Sequence, residues 1–343
     1  MIDSAIAATL FGPEDLRLVE HPLGPLAPGM VRVRFGAGGI CGSDLHYFRH
    51  ARTGDFVVTS PLVLGHEVAG EIVEISADAP GLAVGDRVAV NPSRWCGQCA
   101  RCAEGRVNLC ENIYFMGSAS KTPHMQGGFA SLFDATPAQC VKIPPDVSYQ
   151  AAALAEPLAV SLHAVARAGD IAGRNVILFG AGPIGLLTML AAKLNGCGEL
   201  TVADIAEAPL AFASRLGANR TIDLSGGDDE LKAIDVAFEI SGTAAGLAAA
   251  IASVRRGGTV VQLGNLPGGQ IPVAANAVMA KEINLNGTFR FGAEFNQAVD
   301  LIVSGDIDVL KLVTAERPLA SACDAFRLAA DRSQSVKVVL TAD

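Results

Sequence analysis

Asn175-Val-Ile-Leu-Phe-Gly180-Ala-Gly182-Pro-Ile-Gly185-Leu-Leu-Thr-Met-Leu-Ala-Ala192 is the stretch that decides the fold. An apolar run enters a G-x-G-x-x-G turn, and a second apolar run with helical character leaves it. Glycines there permit a tight turn and let backbone N–H groups approach a pyrophosphate at the positive helix N-terminus. Pro183 and Ile184 fill the variable positions of the turn. The next apolar strand, Leu200-Thr-Val-Ala203, ends at Asp204, 19 residues after Gly185. A carboxylate at that place accepts hydrogen bonds from the adenosine ribose, and its charge repels a 2′-phosphate. No Lys or Arg lies between Ile205 and Leu210 to compensate. The pattern therefore predicts NAD rather than NADP. The plainer alternative for Asp204 is a helix cap.

Outward from this turn, strands and helices alternate. A helix precedes it from Ala151 to Gly169. Helices near Glu207–Leu216 and Ala244–Val254 and strands at Val236-Ala-Phe-Glu239 and Thr259-Val-Val-Gln-Leu263 follow. This spacing predicts an α/β, doubly wound parallel sheet over 151–286. Residues 1–150 read instead as short strands and turns. Val31-Arg-Val-Arg-Phe35 alternates as a half-exposed strand should, and no long helical period appears. That half is expected to be an antiparallel or barrel-like β domain, and 287–343 to return to it. A chain of 343 residues exceeds one comfortable core, so two domains fit its length.

The formal charge of −9 and pI near 5.2 argue against nucleic acid or an anionic membrane as partners. Mean hydropathy is +0.36, yet the longest uncharged run, Asn175 to Ala192, spends three glycines and a proline on the turn above. The N-terminal residues lack the basic region of a signal peptide. Eight cysteines without a secreted framework suit a reducing cytoplasm.

Four of those cysteines, Cys96, Cys99, Cys102 and Cys110, fall within fifteen residues. Thiolates at two-residue gaps, closed by one longer gap, can wrap a single tetrahedral Zn²⁺ at about 2.3 Å per sulfur. Disulfides and scattered core thiols are the alternatives; pairs this close bridge poorly outside redox motifs. A closed Cys₄ shell builds structure and leaves no position for chemistry. A second, sparser set does: Cys41-Gly-Ser43-Asp44-Leu-His46, Gly65-His66-Glu67 and Ala155-Glu156-Pro157. One Cys, one His and a carboxylate leave zinc a position for water or substrate. Cys140, Cys197 and Cys323 are read as ordinary thiols.

Cys-Gly-Ser-Asp-x-His, Gly-His-Glu-x-x-Gly, the cysteine lobe, Gly85-Asp-Arg-Val88, Ala-Glu-Pro-Leu-Ala and Gly-x-Gly-Pro-Ile-Gly stand here in one order. In that order they resemble the zinc-dependent medium-chain dehydrogenase/reductase superfamily over essentially the whole chain. The resemblance implies a GroES-like β catalytic domain, a Rossmann cofactor domain and a homo-oligomer, dimer or tetramer. Cys41 to Tyr47, Glu156 and Gly287-Thr-Phe-Arg-Phe291 resemble the polyol branch around sorbitol dehydrogenase. Asn91-Pro-Ser, Phe115-Met-Gly-Ser-Ala119, Pro123-His124, Gly127-Gly-Phe129 and Phe289-Arg-Phe-x-x-Glu-Phe-Asn296 are similar, more narrowly, to the bacterial L-idonate 5-dehydrogenase family.

Carried over by position, Cys41 and His66 are catalytic-zinc ligands, with Glu67 and Glu156 offering carboxylates to the metal or its water. Ser43 and His46 match a proton relay, and Asp44 a partner that fixes the ligand histidine. Tyr47, Phe115 and Arg290 match substrate positions. Leu263, Gly264, Asn265, Phe289 and Arg290 match positions beside the nicotinamide half. Implied is reversible hydride transfer between NAD and a secondary alcohol, L-idonate to 5-keto-D-gluconate. Neutral polyol oxidation, threonine oxidation and an inert NAD-binding protein are the competing readings. An aldonate carboxylate needs a cation, for which Arg290, Arg94, Lys121 and His124 are candidates. Two positions depart from the family: Pro209 replaces an adenosine-bracing arginine, and Ser76 a glycine.

Overall fold

Every residue of the Val176–Phe179 strand is buried, as a strand covered on both faces must be. In the computed structural model it lies third in a six-stranded sheet. The order is Arg220–Asp223, Leu200–Asp204, Val176–Phe179, Ile234–Glu239, Val254–Gln262, Asn284–Gly287. All five pairings are parallel. After Val176–Phe179 the chain winds outward through Leu200–Asp204, then crosses back to Ile234–Glu239 on the other side. That reversal is the point where a doubly wound sheet opens a crevice at its carboxyl edge. The helix Pro183–Leu194 begins there with proline in its first turn, where the missing N–H costs nothing. Its Gly185 lies so close to the Gly180 carbonyl that a Cβ would overlap it. Two strands escape the sequence pattern, Arg220–Asp223 and Asn284–Gly287. Both are short edges rich in Arg, Thr and Asn, with no apolar run to mark them.

The structure describes residues 4–77, 79–226 and 233–343. They form two units, Met1–Glu156 with Phe295–Asp343, and Pro157–Glu294. The divisions fall a few residues past 150 and 286: Glu156 is buried with the charges of the first unit, and Phe295 is 1% exposed.

Seven strands form the main sheet of the first unit, centred on Val31–Gly39. Its antiparallel neighbours include Glu67–Ile75, Leu132–Ala135 and Lys337–Thr341. The last pairing brings the chain's end back beside its beginning. Alternation in Val31–Phe35 is broken at Arg32, which is buried rather than exposed. Its guanidinium pairs with Asp134 at 2.8 Å and Glu74 at 3.0 Å, which ties the two flanking strands to the centre. A helix at Gly42–His50 is also unforeseen. Nine residues are too few to show a period, but Cys41 and Asp44 cap its start reciprocally, and Ala51 ends it in the left-handed region. Among the described residues, no helix is long and apolar enough to cross a membrane.

Phe129 centres the first unit's core at 0% exposure, edge-on to Phe35 and Phe326. Phe129→Ala is expected to cost about 3–5 kcal/mol, read from the urea midpoint of that unit's transition. A loss below about 1 kcal/mol would contradict this packing.

Candidate functional site

Asp44 organises the first-unit site. Its Oδ2 accepts the Cys41 backbone N–H at 3.1 Å, and its Oδ1 accepts that of Gly65 at 3.4 Å. The same Oδ1 lies 3.4 Å from His66 Nδ1. One fully buried carboxylate thereby fixes the start of the Gly42–His50 helix, the turn before Glu67 and the imidazole ring. With Nδ1 facing Asp44, Nε2 is the ring nitrogen left for other partners. Cys41 Sγ, a His66 nitrogen and a Glu67 carboxylate oxygen all lie within 4.8 Å of one another. Burial alone would lower the His66 imidazole, but the charges of Asp44 and Cys41 hold it well above its ordinary value.

Lys337 is the residue that sequence reasoning missed. Its ammonium is buried, donates to Glu67 Oε1 at 2.8 Å and to the Ile40 carbonyl at 2.9 Å, and lies 2.5 Å from Glu67 Oε2. Oε2 nevertheless takes no hydrogen bond of its own. Burial pushes the Glu67 carboxyl up against the pull of this lysine. Glu156 is buried in the same field and is pushed up to about 7, chiefly by burial. It lies outside the three-residue cluster, so Glu67 rather than Glu156 shares the space between Cys41 and His66. A thiol, an imidazole and a buried carboxylate form a donor set that zinc fits.

The four lobe cysteines also converge. Cys110 Sγ lies 3.5 Å from Cys96 Sγ and 3.9 Å from Cys99 Sγ, too far for disulfides. Sulfurs around zinc at about 2.3 Å stand about 3.8 Å apart in a tetrahedron, so the spacing fits that ion. Backbone N–H groups of Gln98 and Cys99 pull Cys96 down to about 6. Cys102 is pushed up to about 12 by desolvation and by its neighbouring sulfurs. Four thiolates can coexist at this spacing only around a cation.

In the second unit, Gly182 caps the Pro183–Leu194 helix with open space where a side chain would stand. This is room for a pyrophosphate at a free helix N-terminus. Asp204 is buried, and its Oδ2 accepts the Ala181 N–H of the glycine turn at 2.7 Å. Its Oδ1 accepts the N–H groups of Ile205 and Ala206 at 2.8 and 3.1 Å. The carboxylate therefore ties the turn to the strand end. Leu263 is half-buried, Gly264 buried and Asn265 exposed just past the Val254–Gln262 strand. Phe289 is exposed, and the Arg290 guanidinium lies 4.9 Å over its ring. Arg290 itself has φ of 54°, an unusual backbone for a bulky residue.

The remaining predicted residues of the first unit divide cleanly. Phe115 packs its ring on His66 at 5.5 Å, and the Tyr47 hydroxyl accepts the Ala119 N–H at 3.1 Å. Ser43 is half-buried and His46 exposed, three apart on one helix face. Burial and the charges of His50 and Arg49 lower the His46 imidazole. His124 is buried with both nitrogens engaged: Nε2 accepts the Thr59 N–H, and Nδ1 donates to the Lys121 carbonyl. Arg94 stacks 4.6 Å over Tyr114, whose neighbour Phe115 points to the opposite face of its strand, towards His66. His124 is thus engaged at both ring nitrogens and Arg94 is stacked on Tyr114, while Lys121 is exposed.

Residues 27–145 match the alcohol dehydrogenase GroES-like domain, and residues 183–304 the zinc-binding dehydrogenase domain. An L-idonate 5-dehydrogenase (NAD(P)(+)) of Escherichia coli (strain K12) is 39% identical over 313 residues, 90% of each chain. The chain belongs to the zinc-dependent medium-chain dehydrogenase/reductase family. Members of this family are oxidoreductases acting on CH–OH donors, and the two units are its GroES-like and Rossmann domains. A sorbitol dehydrogenase of Bacillus subtilis (strain 168) is 35% identical over 343 residues, covering 97% of this chain and 96% of its own. The crystal structure of L-idonate 5-dehydrogenase from Escherichia coli K-12 superposes with a TM-score of 0.94 at 36% identity over 98% of both chains. A Sinorhizobium meliloti 1021 chain bound to NADP (TM-score 0.90, 30% identity) covers 98% of this chain and 99% of its own. An Escherichia coli CFT073 alcohol dehydrogenase complexed with NADH (TM-score 0.89, 25% identity) covers 99% of each.

Lys337→Met leaves the Glu67 charge buried and unpaired, and is expected to cost about 3–5 kcal/mol in chelator-treated protein. Adding Glu67→Gln should recover most of that loss. Additive losses in urea midpoints would contradict the pairing.

Proposed function

We propose that this dehydrogenase oxidises a sugar acid at a secondary alcohol with NAD, most specifically L-idonate to 5-keto-D-gluconate, and runs the reverse reduction. The observation that carries the chemistry is the buried convergence of Cys41, His66 and Glu67 under the control of Asp44. These three residues would hold a catalytic zinc, and the lobe cysteines a second, structural one. Bound zinc would act as a Lewis acid on the substrate oxygen. The chain's own residues do the rest. Asp44 keeps the His66 ring turned, Lys337 keeps Glu67 in place, and Phe115 covers one side of the imidazole. Ser43 and His46 share a helix face leading to solvent and would pass the alcohol proton outward. Burial and the charges of His50 and Arg49 lower the His46 imidazole, which favours the neutral ring that can take up a proton and hand it to solvent.

Asp204 supports NAD over NADP: a buried carboxylate beside the ribose position, with only apolar and acidic residues following it to Leu210, disfavours a second phosphate. The sugar-acid reading draws on the shared motifs and on the 39% identical relative. Of the four candidate cations, Arg290 is the one proposed to meet the substrate carboxylate. The enzyme is further proposed to be a cytoplasmic homo-oligomer, its edge strand Asn284–Gly287 with exposed Leu285 covered by a second copy.

Steady-state rates on L-idonate, sorbitol and threonine test the substrate. L-idonate is expected to give the highest kcat/KM, and Arg290→Leu to penalise it more than sorbitol. A sorbitol preference, or equal losses on both, would favour the neutral polyol reading. Asp204→Ala should shrink the ratio of NAD to NADP efficiency by about tenfold or more; an unchanged ratio would overturn the assignment.

A further inference from the structure

Glu239 closes the Ile234–Glu239 strand, in register with Phe179, the residue before the glycine turn. It is fully buried, and nothing in the proposed reaction uses it. Its Oε1 accepts the Ser241 hydroxyl at 2.5 Å and the Gly242 N–H at 2.9 Å, which curls the chain back over the strand end. Ser241 Oγ lies 2.9 Å from Thr243 Oγ1, which accepts the Gly246 N–H and so caps the Ala244–Ser253 helix. Oε2 is buried and makes no hydrogen bond. Burial pushes the carboxyl up, while the Ser241 hydroxyl and the local N–H groups pull against it.

The turn held by this carboxyl touches both neighbouring loops. A Cβ on Gly180 would come 2.9 Å from Ser241 N. One on Gly264 would overlap Gly242 N and come 2.6 Å from Glu239 Oε2. The loops after three adjacent strands are therefore in backbone contact, with Glu239 between them. A buried carboxyl is a costly means of shaping one turn. Its position gives it a wider consequence, because Oε2 lies against Gly264, so that moving it displaces the backbone just past the Val254–Gln262 strand.

Strand order settles which part of a dinucleotide lies there. The glycine turn follows Val176–Phe179, and Asp204 lies on the Leu200–Asp204 side, where the adenosine ribose goes. The other half must run over the ends of Ile234–Glu239 and Val254–Gln262. We propose that Glu239 is a positioning residue for the nicotinamide half of the cofactor, acting through the Ser241–Thr243 turn and Gly264. The proposal rests on the pyridine-nucleotide reading above.

Binding measured without turnover separates this role from plain stability. NADH affinity is read by its fluorescence and ADP-ribose affinity by calorimetry, on zinc-loaded protein. Glu239→Ala is expected to weaken NADH about tenfold and ADP-ribose less than about twofold. Ser241→Ala removes one donor and leaves the core intact, so it keeps the test open if the first variant does not fold. It should show the same split at about threefold. Equal weakening of both ligands, or unchanged NADH binding in both variants, would overturn the proposal. Wild-type protein that binds neither ligand would overturn the cofactor reading beneath it.

Discussion

The fully buried Asp44 carboxylate joins the start of its own helix to the consecutive residues Gly65 and His66 of a distant turn. Around it lie His66, Glu67, Lys337, Glu156 and the Cys41 thiol, all in one desolvated region. A charge removed from water must be matched by opposite charge or hydrogen bonds, or it is neutralised. Here the Asp44 and Glu67 carboxylates face the Lys337 ammonium and the His66 imidazole, and the Glu156 carboxyl is pushed up to about 7. The Cys41 thiol, the His66 ring and a Glu67 oxygen stand together as a donor set of the kind zinc takes.

Holding them ready is a matter of long-range topology. Val31–Gly39 is the strand on which the site is assembled, because Glu67–Ile75 and Lys337–Thr341 pair with its two edges. Gly39 lies opposite both Glu67 and Val339, and a side chain at Gly39 would overlap the Glu67 carboxylate. The pairing of a residue near the N-terminus with one near the C-terminus places Lys337 beside Glu67 across 270 positions. The same buried logic recurs in the second unit on a smaller scale. There Asp204 and Glu239, one on either side of the glycine turn, hold loops by accepting backbone N–H groups.

What the sequence disclosed follows from how local each constraint is. The glycine turn was legible because tight turns, anion approach and close packing each demand glycine within six residues. The cysteine lobe was legible because its ligands are neighbours in the chain. Cys41 and His66 could be named from the family resemblance, with Glu67 and Glu156 left open between them, and only the coordinates show that Glu67 is the carboxylate lying beside the pair. Lys337 left no local signal at all: a lysine opening an apolar strand reads as solvated until its partner is known. The Gly42–His50 helix was too short for periodicity, although Cys41 and Asp44 carried its cap. Arg32 followed an alternating pattern that predicts exposure, and only Asp134 and Glu74 explain its burial. The edge strands failed the pattern because edges need no apolar face.

Zinc content per chain, measured on purified wild-type protein and on a Cys41→Ala, His66→Ala variant, tests the central claim most directly. The account predicts zinc at both clusters in the wild type and one ion fewer in the variant, with the cysteine lobe still loaded. A wild type holding zinc only in the lobe, or a variant that loses none, would contradict it.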